Sequence, residues 1–228
     1  MKILVVSATF EEIMNTISIF EIETQSYKNF FTKKFSDNEI SFLITGIGSY
    51  AMLYNLTVIL QKNNYDIVVN VGIAGSYDKS IRIGDIVLVE SEEIGDLGID
   101  NKDTFNTLFE HNFLNKNDFP FVDGKLICNY TITSSHLPVK TVKSLSLNTV
   151  GGEKNKIEIK KQKFDVQIES MEGAAFFYVC LLEKVNFIEI RAISNFVEPR
   201  NKESWEIMLA IKNLNDNLKL LLLDLLDI

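Results

Sequence analysis

Short, nearly unbroken apolar runs set the strongest limit on how this chain can fold. Ile3–Val6 and Asp66–Val71 are too short for helices and do not alternate with polar residues. Runs of this kind fit strands covered on both faces, as in a parallel sheet. Helical stretches separate them. Thr9 can cap a helix whose first turn holds Glu11 and Glu12, and Gly46-Ile47-Gly48 turns the chain into a helical stretch at Ser49–Lys62. Glu21–Phe35 and Glu39–Thr45 alternate as strands do. Further strands are expected after Gly84, over Val139–Thr149 and over Phe187–Asn195, and further helices over Glu172–Glu183 and Lys202–Leu226. In the last helix Ile207, Ile211, Leu214, Leu218, Leu221 and Leu225 form one apolar stripe, which suits a helix docked on a sheet. Residues 91–138 read as loop-rich. Glu153–Lys163 is polar and rich in lysine, so it is expected to be mobile. Strands alternating with helices, with no repeat or linker, predict a single α/β domain over residues 1–228: a three-layer sandwich whose central mixed or mostly parallel sheet is flanked by helices.

The 228 residues suffice for one substantial core. A formal net charge of −8 repels phosphate backbones, which argues against a nucleic-acid partner. The apolar start is too short for a secretory leader, and no run is long enough to span a bilayer, so a cytoplasmic protein without membrane contact is expected. Cys128 and Cys180 stand far apart in apolar contexts and read as reduced thiols. His111 and His136 lack ligand spacing, so no metal is expected.

Two glycine segments could face a ligand. Gly46-x-Gly48-x-x-Ala51 follows a strand, opens a helix and has Asp66 about twenty residues on, the outline of a dinucleotide-binding turn. It comes late in the chain, and close backbone packing explains the glycines equally well. Asn70-Val71-Gly72-Ile73-Ala74-Gly75-Ser76 ends a buried strand, where α/β proteins place ligands. Three more segments bring polar groups to strand ends or helix starts: Ser7–Ile13, Glu169–Ala175 and Arg191–Asn201. By themselves Glu12 and Glu172 read equally as first-turn acids favoured by the helix dipole. Asn195 could be an ordinary strand-end residue and Arg200 a solvated charge. Arg191, a charge within an apolar strand, calls for an internal partner.

Taken together, these segments resemble the nucleoside phosphorylase/nucleosidase superfamily over nearly the whole chain. VVSAT, VGIAGS, DLG, SMEGAAFFYVC and IRAISN with VEPRN are, within it, most similar to the futalosine hydrolases of menaquinone synthesis. The resemblance implies hydrolysis of an N-glycosidic bond, with hypoxanthine as the released base, no cofactor, and a homodimer. Glu12 would hold the attacking water and accept its proton. Glu172 would accept hydrogen bonds from the two ribose hydroxyls, and Met171 would pack beneath the sugar. Ile73 and Gly75 would line the substrate. Asn195 stands where adenine-specific relatives carry Asp; its amide can donate to O6 of a 6-oxopurine and accept from a protonated N7. Asn70 stands where related phosphorylases grip phosphate with Arg, which favours water as the nucleophile. Arg200 is the candidate partner for the benzoate of futalosine. The alternatives are an inosine or methylthioadenosine nucleosidase or phosphorylase, and a catalytically idle dinucleotide-binding module built on the Gly46–Ala51 turn.

Overall fold

A computed structural model describes all residues except 24–28, 102, 129, 132–133, 137–139, 200–201 and 228. The chain runs through β1 (Lys2–Ser7), α1 (Phe10–Ile19), β2 (Phe30–Phe35), β3 (Asn38–Ile44), α2 (Ser49–Leu60), β4 (Ile67–Ser76) and β5 (Ile86–Ile94). It continues through β6 (Gly98–Asn101), β7 (Thr104–Thr107), β8 (Leu126–Ile127), β9 (Thr141–Ser146), α3 (Lys154–Lys163), β10 (Ile168–Ser170), α4 (Gly173–Glu183), β11 (Phe187–Phe196) and α5 (Ile207–Leu226).

The expected three-layer α/β sandwich is borne out. The central sheet has the order β10-β9-β5-β11-β4-β1-β3-β2. Strands β3, β1, β4 and β11 are mutually parallel, and β5 runs antiparallel to β11. Alternation along β1 shows why both faces are covered. Ile3 and Val5 enter one core with residues of α1 and α5; Leu4 and Val6 enter the other with residues of α2 and α4. Each such side chain, fully buried, contributes on the order of 1.5–3 kcal/mol. The residues of α4 are buried almost all round, which fits its uninterrupted GAAFFYVC sequence.

Several boundaries differ from the sequence reading. The strand expected from Glu21 begins only at Phe30, because Glu21 sits in a turn at φ 49°; residues 24–28 of that stretch lie outside the described residues. The strand expected to stop at Val71 runs on through the glycines, since β4 continues through Ser76. Glu153–Lys163 is not a loose segment. Lys154–Lys163 forms α3, anchored by buried Ile157 in a small third cluster with Phe164, Leu145 and Tyr77. Lys160, Lys161 and Lys163 in its last turn also suit the helix dipole. Residues 91–138 carry the end of β5, the hairpin β6–β7 and the short β8. The final helix is split: a single 3₁₀ turn at Lys202–Ser204 precedes α5. No helix among the described residues is long and apolar enough to cross a membrane.

Helices α1 and α5 are joined by one buried amide. Asn215 Oδ1 accepts from the Thr16 amide at 2.9 Å and the Thr16 hydroxyl at 2.7 Å, while its Nδ2 donates to the Glu12 carbonyl at 2.8 Å. One side chain of α5 thus engages both ends of one turn of α1, Glu12 to Thr16. Asn215→Leu keeps the branched shape but removes every partner, leaving the Thr16 hydroxyl without the Asn215 acceptor in an apolar layer. It is expected to cost about 1–3 kcal/mol, read as a lowered urea midpoint at unchanged slope. A loss below about 0.5 kcal/mol, the size of an ordinary surface change, would refute a structural role for this amide.

Candidate active site

The carboxyl ends of β1, β4, β10 and β11 meet beside the start of α5, where doubly covered sheets build their sites. They enclose a cavity of about 390 Å³. Glu12, Ile73, Gly75, Met171, Glu172 and Asn195 all line it. Arg200 lies outside the described residues. Ile47, Leu147, Val150, Trp205, Ile207 and Ile211 supply apolar walls.

Glu12 is fixed by its own helix start. Its Oε2 accepts from Ser7 Oγ at 2.9 Å and from the Thr9 amide and hydroxyl, both at 3.0 Å. Its Oε1 accepts from the Ile73 amide at 3.1 Å. Thr9 is thus the N-cap expected, and Glu12 is the residue three on that answers it. The carboxylate spans from the end of β1 to β4, lines the cavity and keeps one lone pair of Oε1 unengaged by the described residues.

Glu172 stands at the N-cap of α4, and its Oε1 accepts from the Gly48 amide at 2.8 Å. Gly48 has φ 92°, so the Gly46–Gly48 turn is a true one. Its amide meets a carboxylate, and an anionic phosphate is not welcome there; this overturns the dinucleotide reading of the turn. Burial pushes the Glu172 pKa up. The charge of Arg191 and the Gly48 bond pull it down, and Glu12 and Glu189 oppose them.

Behind both carboxylates lies Arg191, with only 1% of its surface exposed. Its Nε donates to Glu189 Oε1 at 2.9 Å. Burial works against its charge, but Glu189, Glu172 and Glu12 outweigh burial and raise its pKa. Here is the internal partner that a charge in an apolar strand required. Asn70 joins the same network by donating to Glu189 Oε2 at 2.8 Å. The glycines of β4 therefore serve clearance. A β-carbon on Gly72 would collide with the Arg191 guanidinium and lie 2.9 Å from Glu12 Oε1. Glu92, buried next to Glu189, has its pKa pushed well up by burial and by that neighbour.

Asn195 owes its position to a bulge. Ile193 pairs with Ala74 and Asn195 with Gly75, so Ser194 is the extra residue. The Asn195 Oδ1 accepts from Ser194 Oγ at 2.8 Å, and Nδ2 donates to the Phe196 carbonyl at 3.0 Å. One N–H and one lone pair of the amide stay available to a ligand. Four carboxylates line the cavity, Glu11, Glu12, Glu169 and Glu172, and no Lys or Arg does among the described residues. Glu169 opens the Glu169–Ala175 segment, and its sequence context assigns it no role. A carboxylate in a three-residue strand has no periodicity to mark it.

Comparison with known proteins agrees with this architecture. The family described as the Phosphorylase superfamily matches residues 2–227. The 5′-methylthioadenosine/S-adenosylhomocysteine nucleosidase of Bacillus pumilus is 26% identical over 218 residues, covering 90% of each chain. Among solved structures, the corresponding nucleosidase of Streptococcus pneumoniae, in complex with 8-aminoadenine, superposes with a TM-score of 0.80 at 19% identity, over 98% of this chain and 100% of that one. Futalosine hydrolase of Helicobacter pylori superposes with a TM-score of 0.77 at 19% identity, over 97% of each. With a family match that leaves out only the first and last residues, the chain belongs to the phosphorylase superfamily.

Proposed function

We propose that this protein hydrolyses the N-glycosidic bond of a purine nucleoside, with a 6-oxopurine as leaving base and futalosine as substrate. The observation that carries the reaction type is the cavity lined by carboxylates without a cation among the described residues. Departure of the base leaves an oxocarbenium-like sugar, and fixed negative charge stabilises that developing cation. The same charge repels a phosphate nucleophile. Asn70, already bonded to Glu189, offers phosphate nothing, so water is the attacking group.

In this reading Glu12 Oε1 holds the water and takes its proton. The proton leaves the water oxygen as that oxygen bonds to the anomeric carbon, and the glycosidic electron pair goes to the base. Glu172, held by the Gly48 amide through Oε1, accepts from the ribose hydroxyls through its second oxygen. Met171 lies under the sugar. A proton taken up from solvent at N7 lets the base leave neutral; Asn195 donates to O6 and accepts from that N7–H. Adenine would set its exocyclic donor against the amide donor, at a cost of about 1–3 kcal/mol if nothing rearranges.

A methylthioadenosine nucleosidase is the second reading. It is favoured by the relative from Bacillus pumilus and by apolar walls that suit an alkylthio group. Incubation with futalosine, inosine and methylthioadenosine, with and without phosphate, separates the two. Hypoxanthine from futalosine without phosphate is expected; adenine from methylthioadenosine would establish the second reading instead, and phosphate dependence would overturn hydrolysis.

Glu12→Gln and Glu172→Gln should each lower kcat by about a hundredfold or more while unfolding near the wild-type temperature. Glu172 must be ionised to accept both hydroxyls. Because its pKa is raised, kcat/KM should fall as pH drops through a midpoint above the usual carboxylate range. A flat acid profile would contradict that role. Arg200→Ala should raise KM for futalosine and leave inosine unaffected; unchanged futalosine kinetics would remove Arg200 from the site.

A further inference from the structure

Glu92 of β5 and Glu189 of β11 are both fully buried, and both reach the start of α4. A β-carbon on Gly173, the first residue of that helix, would collide with Glu92 Oε1 and lie 2.8 Å from Glu189 Oε1. Two carboxyl groups thus fill the space that a side chain would need, one residue after Glu172. In a dry interior, two carboxyl oxygens so near one point cannot both carry charge. Glu92 takes no part in the hydrolytic step.

The surrounding hydrogen bonds decide which group holds the proton. The Ala174 amide donates to Ser146 Oγ at 2.6 Å, so the one hydroxyl proton of Ser146 goes to Glu92 Oε2, at 2.8 Å. That oxygen is an acceptor. Glu92 Oε1 has no hydrogen-bond partner among the described residues. Glu189 is the opposite case: Oε1 accepts from Arg191 Nε at 2.9 Å and Oε2 from Asn70 Nδ2 at 2.8 Å. Donors on both oxygens favour the ionised form of Glu189, and the bare oxygen of Glu92 is the place for a proton. Burial and the charge of Glu189 push the Glu92 pKa well up, against weaker pulls from neighbouring Ser144, Ser146 and Arg191. The other titratable neighbours of Glu189 are Cys128 and Cys180, thiols that burial above all pushes up. Beyond Arg191 stand Glu172 and Glu12.

We propose that Glu92 is a neutral acid whose Oε1 proton is donated to Glu189 Oε1, and that this pair positions the charge of Arg191 for Glu172. The second half rests on the reading of Glu172 as the ribose-binding carboxylate. With Glu92 neutral, Arg191 has one anionic partner within the sheet, and the rest of its field reaches Glu172 and Glu12. A second buried anion would draw on the same cation and make Glu172 harder to ionise. Glu92 and Glu189 touch no substrate; they are positioning residues.

Infrared difference spectroscopy of wild type against Glu92→Gln tests the proton without turnover. The glutamine keeps a donor for Glu189 and an acceptor for Ser146. At about pH 8, where ordinary carboxyls are ionised, wild type should show the carbonyl band of a protonated carboxylic acid that Glu92→Gln lacks. Its absence from wild type overturns the neutral acid, and that measurement stands even if the variant does not fold. The acid limb of kcat/KM tests the positioning. Glu92→Gln replaces one neutral group by another and should keep the wild-type midpoint. Glu189→Gln removes a charge that opposes ionisation of Glu172, so its midpoint should fall by on the order of one unit, a tenfold gain in relative rate below it. An unmoved limb in Glu189→Gln, or a limb moved equally by both variants, overturns the positioning role. A wild type without an acid limb overturns the reading of Glu172 and that role with it, while the infrared band still decides the proton.

Discussion

A single buried guanidinium organises the site. Arg191 sits within the sheet, and a charge there is tolerable only when others of opposite sign surround it. Glu189 supplies the direct pair, and Glu12 and Glu172 add their fields from the cavity side. The relation is mutual. Burial and the neighbouring Glu12 and Glu189 work against ionisation of Glu172, and the Arg191 charge works for it. Gly72 must lack a side chain for the guanidinium to reach that place. Asn70 is drawn toward Glu189 by the same cluster. The identities of five residues, Glu12, Asn70, Gly72, Glu172 and Glu189, thus follow from one charge placed in the interior.

The sandwich was legible because its strands are short and apolar on both faces, and β1 shows this residue by residue: alternate side chains enter opposite cores. The long last helix was legible from its stripe, and its buried face includes Leu214, Leu218 and Leu221 as that stripe requires. Helix α3 was not. Its composition is that of a solvated segment, and the single buried Ile157 that pins it carries no pattern. The glycines of β4 misled for a related reason. Glycine marks turns when it supplies unusual dihedrals, but here it supplies room, and only the positions of Arg191 and Glu12 reveal that need.

The candidate site divides in the same way. Glu12, Met171, Glu172 and Asn195 came from long motifs, and the fold gathers them around one cavity. What no motif could convey is register. Whether Asn195 or Ser194 stands opposite Gly75 depends on a bulge, and a one-residue slip would send the amide to the other side of the sheet. The alignment of Glu169 with Gly75 is likewise a property of strand pairing between segments more than ninety residues apart; Tyr77, its hydroxyl donor, is separated from it by 92.

The Asn215 amide has a consequence for how the molecule comes into being. It grips the carbonyl of Glu12 across a separation of 203 residues. During synthesis the Glu12 end of the cavity emerges early, yet one turn of its helix stays without its brace until α5 has left the ribosome. Sequence distance of this kind slows the closing step of folding and makes it late. A growing chain would therefore display the cavity's components long before it could hold them still, and competence would arrive in one event with the final helix.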